Sequence, residues 1–251
     1  MTDLKRAVVT GATSGIGRAT VEAFTSSGRT VLAIARREDR LTALVKETGA
    51  EILAADVRDI EAIAPALEAF EPDLLVNNAG VGHGITGMEG LSHEQLQEAF
   101  DINVVAPTQL IAAAVPGMRA RQRGHIVNIG SIAGLHTLLS AVYGGTKSAV
   151  HRVSQNLRIE LSGSGIRVTE ICPGRVASEF YTAAEGDKAK LAAMGQAGIT
   201  ELQPADIAAA ILYAIEAPAH VNVAMIELLP TEQAIGGVRI EAVKRRTENE
   251  D

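Results

Sequence analysis

The sequence has little of what several classes of protein require. It has one cysteine, Cys172, so no internal disulfide can form, which fits a reducing compartment. The net charge of −7 argues against a broad binding surface for nucleic acid or an anionic membrane. No run approaches the ~20 apolar residues of a membrane helix, and residues 1–6 lead into an apolar strand without a cleavage site. These absences predict a soluble cytoplasmic protein with no nucleic-acid or membrane partner.

Patterns typical of metal sites are also missing. The six histidines show no paired ligand spacing such as His-Glu-x-x-His, so no metal is predicted. His125 begins an apolar strand and is interpreted as structural. Cys172 ends another apolar strand and is interpreted as a small core residue rather than a nucleophile.

Apolar runs alternate with amphipathic segments along the chain. Of the 251 residues, 47% are hydrophobic, which is enough for a large packed core. The alternation predicts an α/β fold: a single-domain, Rossmann-type doubly wound parallel sheet of about seven strands with helices on both faces. We expect one domain over residues 1–240 and a charged tail over 241–251. The predicted strands are Arg6–Thr10, Thr30–Ala35, Glu51–Ala55, Leu74–Asn77, Gly124–Ile129, Arg167–Cys172 and Met225–Leu229.

A glycine-rich turn, Thr10–Gly17, lies between the first strand and its helix. Gly11 and Gly15 can adopt backbone angles closed to other residues, and Gly17 allows the helix to approach the strand closely. The start of the helix then offers free amides to a pyrophosphate. The alternative is an ordinary tight turn, but the strand before and the helix after favour dinucleotide binding.

The second strand ends in a pattern that indicates which dinucleotide binds. Ala35 occupies the place where an acidic residue would bind the ribose of NAD, and Arg36 and Arg37 follow it. Two guanidinium groups suit a 2′-phosphate. An ordinary basic start to a solvated helix is the alternative, and we predict NADP(H).

Tyr143 and Lys147 are four residues apart in a predicted helix. At that spacing both side chains leave the same face, roughly 5–6 Å apart at Cβ. An ammonium group near a phenol favours the phenolate, so we expect Lys147 to lower the pKa of Tyr143 toward neutral. Such a pair can transfer protons, although the same spacing also arises from a half-buried ring beside a solvated lysine.

These motifs, with several others, occur in the order of one family. The others are Asp56-Val57, Asn77-Asn78-Ala79-Gly80, Asn103, Ser131 and Pro173-Gly174. From Val8 to about Leu229 the chain resembles the short-chain dehydrogenase/reductase family. The resemblance implies a carbonyl/alcohol oxidoreductase that binds its cofactor and a small-molecule substrate in one domain, usually in a homotetramer. Near the C-terminus, residues 220–223 and 227–233 resemble bacterial NADP-dependent 3-hydroxy-acid and serine dehydrogenases.

The resemblance also implies the roles of individual residues. Ser131 would orient the substrate carbonyl and Tyr143 would pass the proton. Lys147 would hold the nicotinamide ribose, and Asn103 would position a water that relays protons. The implied cofactor-binding residues, including two of the catalytic set, are Thr10, Gly11, Thr13, Ser14, Gly15, Ile16, Gly17, Arg36, Arg37, Asp56, Val57, Asn77, Ala79, Gly80, Tyr143, Lys147, Pro173, Gly174, Val176 and Ser178.

Substrate identity is less constrained by the sequence. His83 and His136 follow motifs that face the cofactor, and Arg175 could clamp a carboxylate, so these three are candidate substrate contacts. Residues 175–203 correspond to the variable lid of the family. We expect a small polar hydroxy acid or the matching semialdehyde. The alternatives are a less polar ketone or a carrier-bound acyl group, a regulatory protein that binds nucleotides without turnover, and an isomerase that uses the nicotinamide transiently.

Overall fold

The computed structural model describes residues 4–138, 140–181 and 199–233. Seven parallel strands form one sheet in the order β3-β2-β1-β4-β5-β6-β7. The strands are β1 Arg6–Thr10, β2 Thr30–Ala35, β3 Glu51–Ala54, β4 Leu74–Asn77, β5 Gly124–Ile129, β6 Ile166–Pro173 and β7 Met225–Leu228. The predicted fold class is confirmed, and the predicted strand ends differ from the observed ones by at most one residue.

The burial of the strands follows their position in the sheet. The central strands β4, β5 and β6 are buried at every residue, because helices cover both of their faces. The edge strands β3 and β7 contain no fully buried residue. The apolar runs of the sequence therefore correspond to the strands that lie between two helical layers.

The helices form a layer on each face of the sheet. One face is covered by α1 (Gly15–Ser26), α2 (Glu38–Thr48) and α8 (Pro204–Glu216). These helices pack on the sheet through Val21 and Phe24, Leu41 and Leu44, and Ile207 and Ile211, respectively. The other face is covered by α3, α5 and α7 through residues such as Ile63, Leu110 and Leu157. The helices are α1 Gly15–Ser26, α2 Glu38–Thr48, α3 Ile60–Phe70, α4 His93–Phe100, α5 Ala106–Ala120, α6 Ile132–Leu135, α7 Ala141–Glu160 and α8 Pro204–Glu216.

The strand order reverses between β1 and β4. From β1 the chain proceeds outward to β3, and from β4 it proceeds outward in the other direction to β7. Open α/β sheets bind ligands at such a switch point, beyond the carboxyl ends of the strands. A π-helical turn, Asp101–Val105, lies between α4 and α5 near this edge. Turns of this type are frequent at functional sites.

One continuous helical run, His93–Ala120, is long and apolar enough to cross a membrane by length and composition alone. A core helix passes the same test, and α5 within this run packs against the sheet through Leu110 and Met118. The indication is weak, so the absence of a membrane partner stays a prediction. The predicted domain boundary at residue 240 and the charged tail 241–251 lie outside the described residues.

Candidate active site

A cleft of about 960 Å³ opens at the carboxyl ends of the strands. It contains most of the residues that the sequence singled out. Three of the four predicted catalytic residues and two of the three candidate substrate contacts line it. The predicted residues in the lining are Gly11, Thr13, Ser14, Gly15, Ile16, Arg36, Arg37, Asp56, Val57, Ala79, Gly80, His83, Ser131, Tyr143, Lys147, Pro173, Gly174, Arg175, Val176 and Ser178.

Three predicted cofactor residues lie behind this lining. The Thr10 hydroxyl accepts hydrogen bonds from the amides of Asn78, at 3.0 Å, and Ala79, at 3.1 Å. Asn77 Nδ2 donates to Asn128 Oδ1 at 2.9 Å inside the sheet. Gly17 packs so closely on the first turn that a Cβ there would collide with the carbonyl of Gly11. These residues shape the wall of the cleft and do not face it.

The glycine-rich turn brings two backbone segments together. Gly11 has φ +65°, and a Cβ there would lie 2.9 Å from Ala79 Cα. Gly15 has φ +50° and faces Ser178 across the cleft. Ser14 precedes α1 without making a side-chain capping bond, so the first amides of the helix have no side-chain acceptor from that residue. The turn and the helix start together offer a cradle that fits a pyrophosphate.

The two arginines after β2 have different surroundings. Arg37 donates to Thr13 Oγ1 at 3.0 Å and to Ser14 Oγ at 3.0 Å, which braces the glycine-rich turn. It also donates to Glu179 Oε2 at 3.1 Å. The Arg36 side chain is 62% exposed, and its Nη1 lies 3.9 Å from Asp56 Oδ2. Arg36 is therefore the arginine with its charge open to a ligand, whereas Arg37 is engaged with the protein.

Asp56 lies beside these arginines at the end of β3. Its carboxylate accepts from Arg58 Nε at 3.0 Å and from Arg58 Nη2 at 2.7 Å. These hydrogen bonds lower the pKa of the Asp56 carboxyl, so it stays ionised. Glu179 receives two further hydrogen bonds from Arg40 Nη1, at 2.8 and 2.9 Å. This is the proposed adenosine end of the cleft, and the ion pairs among Arg36, Arg37, Arg40, Asp56, Arg58 and Glu179 are all partly exposed to solvent there.

At the other end of the cleft, Ser131, Tyr143 and Lys147 come together. Ser131 follows β5 and begins α6, where its hydroxyl accepts a hydrogen bond from the amide of Ala133 at 3.1 Å. Tyr143 and Lys147 lie one turn apart on α7, and Lys147 Nζ is 5.8 Å from the centroid of the Tyr143 ring. All three are buried, with at most 8% of each residue exposed. The arrangement brings a hydroxyl, a phenol and an ammonium group to one buried place.

The electrostatics of this end differ from the sequence-based expectation. Burial raises the pKa of the Tyr143 phenol, and a hydrogen bond with Ser131 only partly opposes that effect. Burial also lowers the pKa of Lys147 to about 8. Lys147 Nζ donates to the carbonyl of Ile129 at 2.8 Å instead of to the phenol. Burial therefore acts against the expected lowering of the Tyr143 pKa by Lys147, because desolvation disfavours the charged form of both groups.

Asn103 does not line the cleft, but it braces from behind the end that holds Ser131, Tyr143 and Lys147, the proposed catalytic end. It lies in the π-helical turn, and its amide bonds to both backbone groups of Val81, at 2.8 and 2.9 Å. Its Nδ2 also donates to Thr146 Oγ1 at 3.0 Å, next to Lys147 in the chain. A Cβ at Gly80 would lie 3.2 Å from Asn103 Oδ1 and 3.8 Å from Lys147 Nζ. Asn103 thus ties the segment after β4 to α7.

The three candidate substrate contacts all have protein partners. His83 Nε2 lies 2.9 Å from Glu98 Oε2, while its buried Nδ1 has no hydrogen-bond partner among the described residues. Arg175 pairs with Glu201 and stacks on the ring of Tyr181, 4.6 Å from the ring centroid. His136 does not line the cleft, because its Nε2 bonds to Glu227 of β7 at 2.6 Å.

Sequence reasoning missed an apolar and aromatic wall. Phe180 packs between Tyr143 and Tyr181 with ring centroids 5.6 Å apart in each pair. Ile85 and Leu138 also line this part of the cleft. The adjacent aromatic residues shortly after Pro173-Gly174 were a usable indication in a chain with only seven Phe and Tyr residues. Nothing in the local sequence pointed to Glu179. The described residues contain no group of three or more His, Cys, Asp or Glu placed to hold a metal ion.

Comparison with known proteins identifies the family. The model of the short chain dehydrogenase family matches residues 5–189. The NADP-dependent 3-hydroxy acid dehydrogenase of Salmonella typhi is 37% identical over 243 residues, which cover 93% of this chain and 98% of that protein. A probable NADP-dependent dehydrogenase of Haemophilus influenzae is 35% identical over 247 residues, covering 95% and 98%. The chain belongs to the short-chain dehydrogenase family, as its motifs predicted.

A solved structure gives the same result. The closed form of serine dehydrogenase complexed with NADP⁺ superposes with a TM-score of 0.88 at 36% identity. The match covers 95% of this chain and all of that one. The resemblance to 3-hydroxy-acid and serine dehydrogenases in the C-terminal segment thus extends over 93–95% of the chain.

Proposed function

We propose that the protein interconverts a carbonyl and a hydroxyl group by hydride transfer with NADP(H), and that Tyr143 is the general acid/base. The observation that carries this proposal is the buried set of Ser131, Tyr143 and Lys147 at the end of the cleft. The cofactor supplies or accepts the hydride. The protein supplies a proton donor beside a second hydroxyl that can hold the carbonyl oxygen. The family and its NADP-dependent members support the oxidoreductase class.

NADP(H) is the cofactor. The relatives and a structural neighbour use or contain NADP, which agrees with the prediction from the residues after β2. Arg36, with its exposed guanidinium, binds the 2′-phosphate in this proposal. Arg37 holds Thr13 and Ser14 in place around the pyrophosphate. This division departs from the expectation that both arginines contact the phosphate.

Each catalytic residue has one task in this proposal. The Ser131 hydroxyl orients the substrate oxygen, and the Tyr143 phenol gives or takes its proton. Lys147 holds the nicotinamide ribose through its ammonium group. Asn103 keeps α7 and the segment after β4 in register, and its role in a water relay stays a prediction.

We further propose a small polar hydroxy acid, or the matching semialdehyde, as the substrate. Similarity to a 3-hydroxy acid dehydrogenase and to a serine dehydrogenase supports this class. A less polar ketone is the second candidate, and the wall formed by Ile85, Leu138 and Phe180 favours it. The pairing of Arg175 with Glu201 also leaves less positive charge for a substrate carboxylate.

A substrate panel tests these alternatives. NADP(H) turnover is measured with serine, 3-hydroxy acids of increasing chain length, their semialdehydes, and neutral cyclic and aryl ketones, with Tyr143→Phe as the blank. Highest kcat/KM on a short hydroxy acid supports the first class, and highest kcat/KM on a neutral ketone supports the second. Absence of net turnover on every compound would favour a regulatory nucleotide-binding protein and contradict the proposal.

We also propose a homotetramer. Three large apolar side chains on α4, the π-helical turn and α7 are substantially exposed: Phe100, Val105 and Ile159. Exposed apolar side chains of this kind are suited to contact a second copy. Light scattering at micromolar concentration tests the assembly, and a monomer mass would contradict it.

A further inference from the structure

The short turn after β7 contributes one side chain to the cleft that the hydride-transfer scheme does not use. Gln233 lines the cleft, and its backbone amide donates to the carbonyl of Pro230 at 2.9 Å, which closes the turn. Glu232 in the same turn accepts a hydrogen bond from the amide of Thr200 at 2.8 Å. The turn is therefore fastened to the segment that begins at residue 199.

One end of the Gln233 side-chain amide is fixed at the carboxyl end of β6. Its Oε1 accepts a hydrogen bond from the backbone amide of Arg175 at 2.8 Å. The preceding residue, Gly174, makes room for this oxygen, because a Cβ there would collide with it. The amide of Gly174 donates to the carbonyl of Leu228 at 2.7 Å, so the ends of β6 and β7 are held together. Gln233 therefore crosses from one strand end to the other in a defined position.

The hydrogen bond with Arg175 also determines which way the Gln233 amide faces. A backbone N–H needs an acceptor, and only the oxygen of a side-chain amide can accept. The oxygen must therefore face Arg175, and the NH₂ group must point the other way. Within residues 4–138, 140–181 and 199–233, no hydrogen bond uses Gln233 Nε2. Since Gln233 lines the cleft, this oriented donor is available to a molecule bound there.

The sheet determines how far this donor is from the proposed catalytic residues. Ser131 follows β5 and Gly174 follows β6, and Ile129 pairs with Ile171 where these neighbouring strands end. Neighbouring strands lie about 5 Å apart. The Gln233 oxygen packs directly against Gly174. A substrate whose reacting oxygen is held by Ser131 can therefore extend past the end of β6 to the Gln233 amide.

The charged side chains nearby leave a role for a neutral donor. Arg175 pairs with Glu201 and stacks on the ring of Tyr181, so its charge is already compensated. Glu232, next to Gln233 in the chain, adds a carboxylate to the cleft lining. An amide N–H can bind a carboxylate or a carbonyl oxygen without depending on a titratable group. Recognition by Gln233 therefore needs no net positive charge in this corner.

We propose that Gln233 is a specificity-determining residue, whose Nε2 donates a hydrogen bond to an acceptor oxygen of the substrate away from the reacting carbon. That oxygen belongs to a carboxylate or to a neutral carbonyl group, which accept in the same way. The inference rests on the proposed function, because that function places the reacting oxygen at Ser131 and Tyr143. It adds a binding group from the turn after β7, which the candidate substrate contacts did not include.

The central test is Gln233→Glu, because the new carboxylate can still accept from Arg175 but cannot donate. NADPH oxidation is measured with acetoacetate, levulinate and 5-oxohexanoate, with their methyl esters, and with ketones in which an isopropyl group replaces the carboxylate. On the best oxo acid, KM should rise about 10–100-fold, as expected for one hydrogen bond to a charged group. On its ester the rise should be about 2–10-fold. On the isopropyl ketones, kcat and KM should both stay unchanged.

Two further variants separate donor loss from added charge. Gln233→Met removes the donor without adding a charge, so it should raise the same KM values and keep the inference testable if Gln233→Glu does not fold. Gln122→Glu adds the same charge at an exposed glutamine just before β5, at the opposite edge of the sheet from the cleft. It should leave all the constants unchanged.

Two results would overturn the inference. One is an unchanged KM on every acid and ester in folded Gln233→Glu, since Gln233 would then only fasten two strand ends. The other is a rise confined to the acids, with Gln233→Met like the wild type, since repulsion by the new charge would explain it. Saturation-transfer NMR also measures binding of the oxo acids with NADP⁺, where no reaction occurs because both partners are oxidised. Absence of turnover in the wild type would contradict the proposed function, and these dissociation constants would still test Gln233.

Discussion

Both ends of the cleft contain charged side chains, but those at one end are exposed to solvent and those at the other are buried. At the adenosine end, Arg36, Arg37 and Glu179 have side chains 41–62% exposed, and their ion pairs are open to water. At the catalytic end, Lys147 and Glu170 are at most 5% exposed. Exposed pairs are screened by salt and contribute little each. Buried groups change their pKa instead. The adenosine end should therefore respond to ionic strength, and the catalytic end to pH.

The largest effect should come from the catalytic end. Tyr143→Phe keeps the ring against Phe180 but removes the proton donor, so kcat should fall about 10²–10⁴-fold, the usual contribution of general acid catalysis. NADPH binding should be nearly unchanged, because the binding groups at the other end are intact. Steady-state kinetics and fluorescence titration of NADPH measure the two quantities.

The matched control for this variant is Tyr213→Phe. It makes the same chemical change at a tyrosine on α8 that is 68% exposed and does not line the cleft. Its turnover should equal that of the wild type. Near-normal turnover in Tyr143→Phe would show that the proton comes from elsewhere.

The next effect belongs to the adenosine end. Arg36→Ala should weaken NADPH binding about 10–100-fold, because one charge-assisted contact is worth about 1.5–3 kcal/mol. NADH lacks the 2′-phosphate, so its affinity should barely change. The difference between wild type and variant should shrink as salt is added. Dissociation constants for both cofactors at two ionic strengths provide the measurement.

Arg18→Ala is the control for net charge. Arg18 pairs with Glu22 and Glu47 on the surface and lies outside the cleft lining. It should leave both cofactor affinities unchanged. If Arg36→Ala weakens NADH and NADPH equally, the exposed arginine does not select the phosphate.

The contrast also predicts a difference in stability. Burial lowers the pKa of Lys147 from 10.5 to about 8. Below pH 8 the lysine is protonated in both states, but its charge is desolvated in the folded state and hydrated in the unfolded state. That penalty is about 3 kcal/mol. Lys147→Met removes it at the loss of about 1 kcal/mol for the hydrogen bond to Ile129. The free energy of unfolding at pH 7 should therefore rise by about 2 kcal/mol while activity is lost.

The pH dependence gives the sign of this effect. Between about pH 8 and 10.5 the unfolded state holds more protons at Lys147 than the folded state. The free energy of unfolding of the wild type should therefore rise with pH, and its difference from that of Lys147→Met should shrink. Urea denaturation at pH 7 and pH 9.5 measures the change. Arg36→Met, the matched substitution at the exposed end, should change stability by less than about 0.5 kcal/mol at either pH. A Lys147→Met variant less stable than the wild type at pH 7 would contradict the burial argument.

The parts of the molecule that the sequence predicted well are those coded by local pattern. Strand ends were found to within one residue because buried runs and turn residues alternate regularly, and the Thr10–Gly17 turn has a recognisable spacing. What could not be predicted depends on contacts between distant positions. Glu179 is 142 residues from its partner Arg37. Likewise, the effect of burial on Tyr143 and Lys147 opposes the local expectation, since a four-residue spacing does not reveal how deeply both groups are desolvated.

The smallest effect on NADPH binding should come from a change at Glu179, which lies at the adenosine end of the cleft. Its carboxylate accepts hydrogen bonds from Arg37 and Arg40, so it pairs with two cations close to the proposed phosphate-binding residue Arg36. Glu179→Gln removes an anion near a polyanionic cofactor and should tighten NADPH binding. Because exposed pairs are worth about 0.2–1 kcal/mol, the gain should be about 1.4–5-fold at low salt.

This last variant tests whether the adenosine end is only a screened surface. Glu47→Gln makes the same change at a half-exposed partner of Arg18 outside the cleft, and should leave NADPH affinity unchanged. If Glu179→Gln instead weakens NADPH binding, and does so equally at high and low salt, the contact acts as a clasp across the cleft. The Glu179 contact would then act through its geometry, which salt does not screen. The two ends of the cleft would differ less in their response to salt than their exposure suggests.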